Sequence, residues 1–343
     1  MPRPLFDEFP ALSAVVPHNP FAQLPTPVEP LGVAPYSWIK RDDLTRPDYG
    51  GNKIRKLEFI LGDALRRGKK HVVTFGAIGT NHGVATALLC REAGLACTVL
   101  LFDQPVTPTV RKNLHLMHSL GARLIHTRSL PRTLMRFHLN GWRLDPSSYF
   151  LFAGGSGVAG TLGFVNAALE LRDQIDAGEL PRPSAIYCPV GSGSTLAGLT
   201  LGMDIAALPV KVVGVRVFPA RLGPFPACTT DTVHTLMRHT RTFLMKNLRR
   251  SLPPPSRPVL LDDFYGDGYG MSTEEGRQAM EKFSGHGIEL EPTYTAKAAA
   301  AFLRRRETGQ GPVLYWHTWN SRETSALRNE SIDALPASLS RML

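Results

Sequence analysis

Lys53 lies in Gly50-Gly51-Asn52-Lys53, at the head of a segment whose apolar residues Ile54, Leu57, Leu61, Ala64 and Leu65 recur at helical spacing until Gly68. A first-turn lysine faces the positive end of the helix dipole, which disfavours a cation by about 0.3–1 kcal/mol. That penalty vanishes for a neutral amine, for instance one joined to a carbonyl compound as a Schiff base. A solvated lysine is the plainer reading of the same segment. The paired glycines allow a tight turn, and Asn52 can serve as the helix cap.

Two further loops have the chemistry of anion sites. Gly191-Ser192-Gly193-Ser194-Thr195 follows the apolar strand Ala185–Val190 and opens a helix at Leu196, so unpaired N–H groups, hydroxyls and a dipole end converge on one point. No Walker lysine follows it, and Leu196 stands where a dinucleotide fingerprint has its third glycine. Clearance for packing would also explain the glycines. Gly76-Ala77-Ile78-Gly79-Thr80-Asn81-His82-Gly83 repeats the strand, loop and helix arrangement. Two helix starts imply a ligand with two anionic groups, such as a phosphate and a carboxylate, although His82 could equally be a packing residue. Tyr265-Gly266-Asp267-Gly268-Tyr269-Gly270 and Glu291-Pro292-Thr293-Tyr294-Thr295 place phenols beside turns, where they can move protons or hold a carboxylate, or simply pack.

The elements that hold these loops alternate. Strands are expected at 36–40, 71–75, 97–102, 123–126, 185–190, 210–217 and 313–317, and helices at 53–67, from about 81, 110–120, 160–174, from 196, 229–248, 272–283 and 295–305. The first fifty residues read as proline-rich and extended, and 250–258 as a proline-rich connector. Repeated β-loop-α units give an α/β fold of mostly parallel sheet with helices on both faces, in two lobes with a cleft between them.

The 343 residues carry 39 basic and 29 acidic side chains, a net charge of +10, without a basic block interleaved with aromatics. A solvated basic surface is expected, with no nucleic-acid partner. Composition excludes disorder, collagen and coiled coil. Cys90, Cys97, Cys188 and Cys228 lie in apolar surroundings without metal-like spacing, as in a reducing compartment, and no metal is expected. No signal-like or membrane-spanning apolar run is present, so a cytoplasmic protein is expected.

Taken in order, several strings resemble one family: Lys40-Arg41-Asp42-Asp43-Leu44-Thr45, Gly50-Gly51-Asn52-Lys53-Ile54-Arg55-Lys56-Leu57-Glu58, Gly79-Thr80-Asn81-His82, Gly154-Gly155-Ser156, Gly191 to Thr195, and Pro292-Thr293-Tyr294-Thr295. It is the D-cysteine desulfhydrase and 1-aminocyclopropane-1-carboxylate deaminase family, fold type II enzymes of pyridoxal 5'-phosphate (PLP) related to the tryptophan synthase β chain. The resemblance runs from about Leu24 to His317. It implies that Lys53 carries PLP and moves the α-proton, that Asn81 bonds the cofactor's phenolic oxygen, and that Gly191, Ser192, Gly193, Ser194 and Thr195 hold its phosphate. It further implies that Thr80, Asn81 and His82 hold the substrate, that Tyr269 and Tyr294 line the pocket, and that Thr295 faces the pyridine nitrogen.

A hydroxyl at 295, where the deaminases have a carboxylate, favours α,β-elimination of a small D-cysteine-like amino acid. Cyclopropane ring opening is the alternative. The resemblance also implies a homodimer, and a smaller lobe of 54–164 inserted into a larger one of 1–53 and 165–343. Three departures fall on the substrate side: Thr80 for serine, Gly157 for asparagine, and Trp319-Asn320 for two glycines. An indole there could crowd the pocket, which leaves open a PLP-binding protein without turnover, and the glycine loops leave open a nucleotide-binding one.

Overall fold

Alternate residues of the apolar strands point to opposite faces, so each sheet needs a helical cover on both sides. The computed structural model describes residues 3–306, 311–327 and 335–341. Its elements begin with α1 (Pro4–Glu8), β1 (Val28–Pro30), β2 (Ser37–Arg41), α2 (Asn52–Arg66), β3 (His71–Ala77), α3 (Asn81–Glu92), β4 (Ala96–Phe102) and α4 (Pro108–Ser119). There follow β5 (Arg123–Arg128), α5 (Leu130–His138), β6 (Ser148–Phe150), α6 (Val158–Asp176), β7 (Ala185–Val190), α7 (Ser194–Ile205) and β8 (Lys211–Arg216). The remainder is β9 (Arg221–Leu222), β10 (Phe225–Pro226), α8 (Thr230–Leu248), β11 (Val259–Leu261), α9 (Glu274–Ser284), α10 (Thr295–Arg306), β12 (Val313–His317) and α11 (Ala337–Ser340).

One sheet has the order β1-β2-β12-β7-β8-β11 and the other β5-β4-β3-β6. Every pairing in them is parallel except β1 with β2. Strand β7 shows how the larger sheet is buried: Ile186, Cys188 and Val190 face α6, α7 and α8, while Tyr187 faces α9 and α10. In the smaller sheet Val72 of β3 joins the core under α2, α3 and α4, and Val73 and Phe75 pack with Phe137 of α5. The loops that follow β2, β3, β7 and β12 leave the carboxyl ends of parallel strands, the place where such sheets bind ligands.

Most expected elements are present with boundaries shifted by a residue or two. The first fifty residues depart from expectation. Pro4 occupies the first position of α1, where its missing N–H is tolerated, and Leu5 and Leu12 are fully buried. Helix α5 and strand β6 were not expected, although Leu130, Leu134 and Phe137 have helical spacing.

A buried ionic cluster ties these elements together. The Arg55 guanidinium donates to both oxygens of Asp42 at 2.8–3.0 Å and to Glu170 at 2.8 and 2.9 Å. Lys40 Nζ donates to Glu170 at 2.6 Å, to the Thr26 carbonyl at 2.8 Å, and to Gln174. Trp316 Nε1 donates to Asp42 Oδ2 at 2.7 Å. Two cations balance two anions, and all four side chains are at most 3 % exposed. Desolvation opposes the Glu170 charge, but Arg55 and then Lys40 overcome it and bring the carboxyl to about 2. Its stabilising contribution is therefore present above its ordinary value of 4.5 and lost as pH falls toward 2.

Removing one partner of such a pair strands a buried charge and costs about 3–5 kcal/mol. Arg55→Met should lower the unfolding free energy by that order in urea titrations followed by circular dichroism. Arg55→Lys should recover only part of the loss, because one ammonium cannot bridge two carboxylates bidentately.

Candidate active site

A cavity of about 510 Å³ opens at the carboxyl ends of both sheets. Lys53, Thr80, Asn81 and His82 line it, together with Gly191, Ser192, Gly193, Thr195, Tyr269, Tyr294, Thr295 and Trp319. Ser194 lies behind its wall, fully buried. The sequence-derived candidates thus gather at one place.

Lys53 is the second residue of α2, and the turn before it is held from two directions. Gly51 N–H donates to the Asp42 carbonyl at 2.7 Å, and Asn52 N–H to the Thr318 carbonyl at 3.0 Å. Gly50 is required here, since a Cβ would fall 1.7 Å from the Asp43 carbonyl oxygen. Gly51, at φ +103°, is the residue before the helix, and Asn52 is its first residue and not its cap. The Asn52 side chain instead accepts from Lys53 Nζ at 2.9 Å and donates to Thr195 Oγ1 at 3.2 Å, linking the lysine to the loop after β7. Burial lowers the Lys53 amine to about 8, opposed by the nearby Glu291 carboxylate. Roughly a tenth of the amine is therefore neutral at pH 7, far more than for an ordinary lysine, and the neutral form is the nucleophile.

The Gly191–Gly193 loop feeds α7, whose first amides have no intrahelical acceptor. Ser194 Oγ is buried there without a partner. Ser156 Oγ braces the loop by donating to the Ser192 carbonyl at 2.6 Å, and Gly154, at φ +72°, lets it approach so closely that a Cβ would meet Ser192 Oγ at 2.3 Å. A residue not singled out from the sequence completes this cradle. Lys56, 2 % exposed, lines the cavity beside Gly154 and Gly155, and its Nζ has a single bond of 3.3 Å to the Gly154 carbonyl. Burial, and then Lys53, push its amine well below the usual range. An anion in the cradle would restore its charge. The spacing of Lys56 three residues after Lys53 was the available signal.

Across the cavity, α3 begins at Asn81 with Thr80 as cap, its Oγ1 accepting from Gly83 N–H at 3.1 Å. The methyl that distinguishes Thr80 from serine rests against Gly76 and Gly83, where added Cβ atoms would come within 2.9 and 2.5 Å of it. Asn113 fixes Asn81 by donating to Asn81 Oδ1 at 2.8 Å and to the Gly79 carbonyl at 2.9 Å, so the free end of the Asn81 amide is its NH₂ group. Thr74 Oγ1 donates its only proton to the Leu151 carbonyl and must accept from His82 Nε2 at 2.9 Å. His82 is therefore the Nε2–H tautomer with an unpartnered Nδ1 acceptor, kept neutral by burial and then by Lys53 and Lys56.

Tyr269 and Tyr294 share a 2.8 Å hydrogen bond between their hydroxyls. Burial keeps both phenols protonated, Tyr269 pushed up to about 12. Thr295 uses its hydroxyl at the start of α10, accepting from Glu291 N–H at 2.7 Å and donating to the Glu291 carbonyl at 3.1 Å. The Glu291 carboxylate accepts from the N–H groups of Thr293, Tyr294 and Thr295. It is a buried cap that also lines the cavity. Trp319 lies on the wall between this cavity and a second of about 570 Å³, and Asn320 accepts from Gly50 N–H at 2.6 Å. The indole leaves the main cavity open.

Residues 13–318 match the family described as pyridoxal-phosphate dependent enzyme. The chain belongs to that family. PLP is its cofactor, and the fold is that of type II PLP enzymes. It is 32% identical over 335 residues to a D-cysteine desulfhydrase of Salmonella schwarzengrund (strain CVM19633), covering 93% of this chain and 96% of that one. The solved structure of a 1-aminocyclopropane-1-carboxylate (ACC) deaminase homologue superposes with a TM-score of 0.78 at 29% identity, covering 93% and 95%. The threonine deaminase of T.th. shares the fold, with a TM-score of 0.63 at 18% identity and coverage of 94% and 98%. The residues present fit PLP: the helix start after Gly193, the lining Thr195 and a charge-poor Lys56 suit the phosphate, and a lowered amine suits the aldehyde.

The apo-protein should capture PLP at a rate that rises with pH to half its plateau near pH 8, because only the neutral amine attacks. Glu291 raises the Lys53 value, so Glu291→Gln should move that midpoint to lower pH. Stopped-flow absorbance on mixing with PLP measures both, and an unmoved midpoint would mean that the two groups are not coupled.

Proposed function

We propose that this enzyme carries out α,β-elimination on a small D-cysteine-like amino acid, releasing a keto acid, ammonia and the leaving group. The observation that carries the reading is the Lys53 amine, lowered to about 8, in a cavity that also holds two helix starts. PLP supplies the electron sink that allows a proton to leave the α-carbon and a substituent to leave the β-carbon. Lys53 would take up the α-proton, which is not restored to that carbon because it becomes the keto carbon of the product. The amides of Ser192 to Thr195, with Lys56, would hold the phosphate, and the Asn81 NH₂ group, left free by Asn113, would be available to the cofactor's phenolic oxygen. The start of α3, with Thr80, Asn81 and the Nδ1 acceptor of His82, orients the substrate. The Tyr269–Tyr294 pair holds a proton for the departing group. Thr295, which the resemblance puts at the pyridine end, would offer a neutral hydroxyl whose proton already bonds the Glu291 carbonyl, so it would not protonate the ring nitrogen, which favours elimination.

The tyrosine pair and the ACC deaminase homologue also favour a second reading, cyclopropane ring opening of 1-aminocyclopropane-1-carboxylate. The lobes of this reading are 1–53 with 165–343, and an inserted 54–164, supported by a four-stranded sheet lying wholly within 71–150. A cytoplasmic enzyme is supported by four buried, unpaired cysteines. Among the described residues no helix is long and apolar enough to cross a membrane. A homodimer is supported by the family resemblance.

Keto acid release from D- and L-amino acids and from 1-aminocyclopropane-1-carboxylate tests the reading. D-cysteine should give pyruvate and sulfide, whereas a four-carbon keto acid from the cyclopropane would favour the second reading. Lys53→Ala should abolish turnover, and Thr295→Glu should raise the ratio of ring opening to elimination. An unchanged ratio would mean that Thr295 does not set the preference.

A further inference from the structure

The cavity has two chemically distinct ends. Among the described residues its charged lining side chains are Lys53, Lys56 and Glu291, all at the starts of α2 and α10. The outer end is walled by apolar side chains from two separate parts of the chain. Phe75, Leu134 and Phe152 come from β3, α5 and the segment after β6, and Phe218, Leu222 and Phe225 from the β9–β10 hairpin and the residues before it. Phe75 and Phe152 pack edge to face at 5.0 Å. Phe218 stacks edge-on against Tyr269 at 5.4 Å, so the apolar wall joins directly to the hydroxyl pair. Phe152 and Phe225 are 46% and 72% exposed, which leaves apolar surface at the mouth.

A leaving group of one sulfur atom would use none of this surface. We propose that the enzyme accepts cysteine S-conjugates, amino acids whose β-sulfur carries a bulky apolar group that lies between the two walls. The proposal rests on the elimination reading above and specifies its substrate class. The α-proton is removed, the Cβ–S bond breaks with its electron pair passing to sulfur, and the thiolate takes up a proton. One water converts the three-carbon remainder to pyruvate and ammonia, so that the S-conjugate and water give thiol, pyruvate and ammonia. Gln104, Thr107, Thr109 and His138 add polar atoms to the lining but no carboxylate or ammonium. A distal carboxylate therefore finds no permanently charged counter-ion, only the titratable imidazole of His138, whereas an aryl group finds aromatic edges.

The test compares S-benzyl-D-cysteine, S-carboxymethyl-D-cysteine and D-cysteine with the PLP-loaded enzyme, following pyruvate and free thiol. The expected kcat/KM for the benzyl compound is at least tenfold above that for the carboxymethyl compound. As a readout without turnover, D-homophenylalanine should inhibit D-cysteine cleavage with a Ki at least tenfold below that of D-alanine. Leu134→Asp and Phe225→Asp should each lower the benzyl-to-D-cysteine ratio of kcat/KM at least fivefold. Turnover of D-cysteine without that of the benzyl compound, or a ratio unmoved by both variants, would overturn the proposal and leave the elimination reading standing. Absence of keto acid from all three would overturn both. A Phe225→Asp protein that loses dimerisation and slows equally on every substrate would assign the mouth to a second copy of this chain and overturn the proposal.

Discussion

Arg55, held between Asp42 and Glu170 with no access to water, is the constraint on which the rest of the architecture turns. Its carboxylate partners come from the end of β2 and the middle of α6, and the adjoining Lys40, Thr26 and Trp316 bring in the N-terminal segment and β12. A guanidinium between two carboxylates tolerates little displacement, because each lost bond would leave a charge in a medium that cannot solvate it. Helix α2 is thereby fixed along its length. Lys53, two residues before Arg55, inherits that position.

The site inverts the usual arrangement of the interior. Lys53 and Lys56 lie within one turn of each other, both lowered by burial and Lys56 further by its neighbour, with Glu291 the charged carboxyl that shares their cavity. Such a cluster is poorly stabilised by the protein alone. It is suited to a ligand that brings an aldehyde for one amine and a phosphate for the other, so the stabilisation missing from the cavity is supplied on binding.

Much of this was legible in the sequence because parallel β-α units declare themselves locally. Strands β7 and β12 have the bounds that their apolar runs indicate, and the loops after β3 and β7 could be read as helix starts facing an anion. The less legible features depend on contacts between distant residues. Asn52 looked like a cap, yet Gly51 takes the backbone role and frees the amide to connect Lys53 with Thr195. Lys56 was hidden inside a helix whose other residues are core. The role of Asn113 in orienting Asn81, and the bond that fixes the His82 tautomer, cross from one element to another and leave no local pattern. The N-terminal turns were obscured by prolines, which mark extended chain as readily as a helix start.

The bond from Gly50 to Asn320 spans 270 residues, and its neighbour from Asn52 reaches Thr318. A ribosome must therefore deliver residues 318–320 before the turn beneath the reactive amine can close. During synthesis the nascent chain can form its early helices and the small sheet, but it cannot present a finished lysine pocket to circulating aldehydes. Competence is timed by the emergence of the segment after β12, and a product that ends before β12 lacks the clasp that makes the amine a working group.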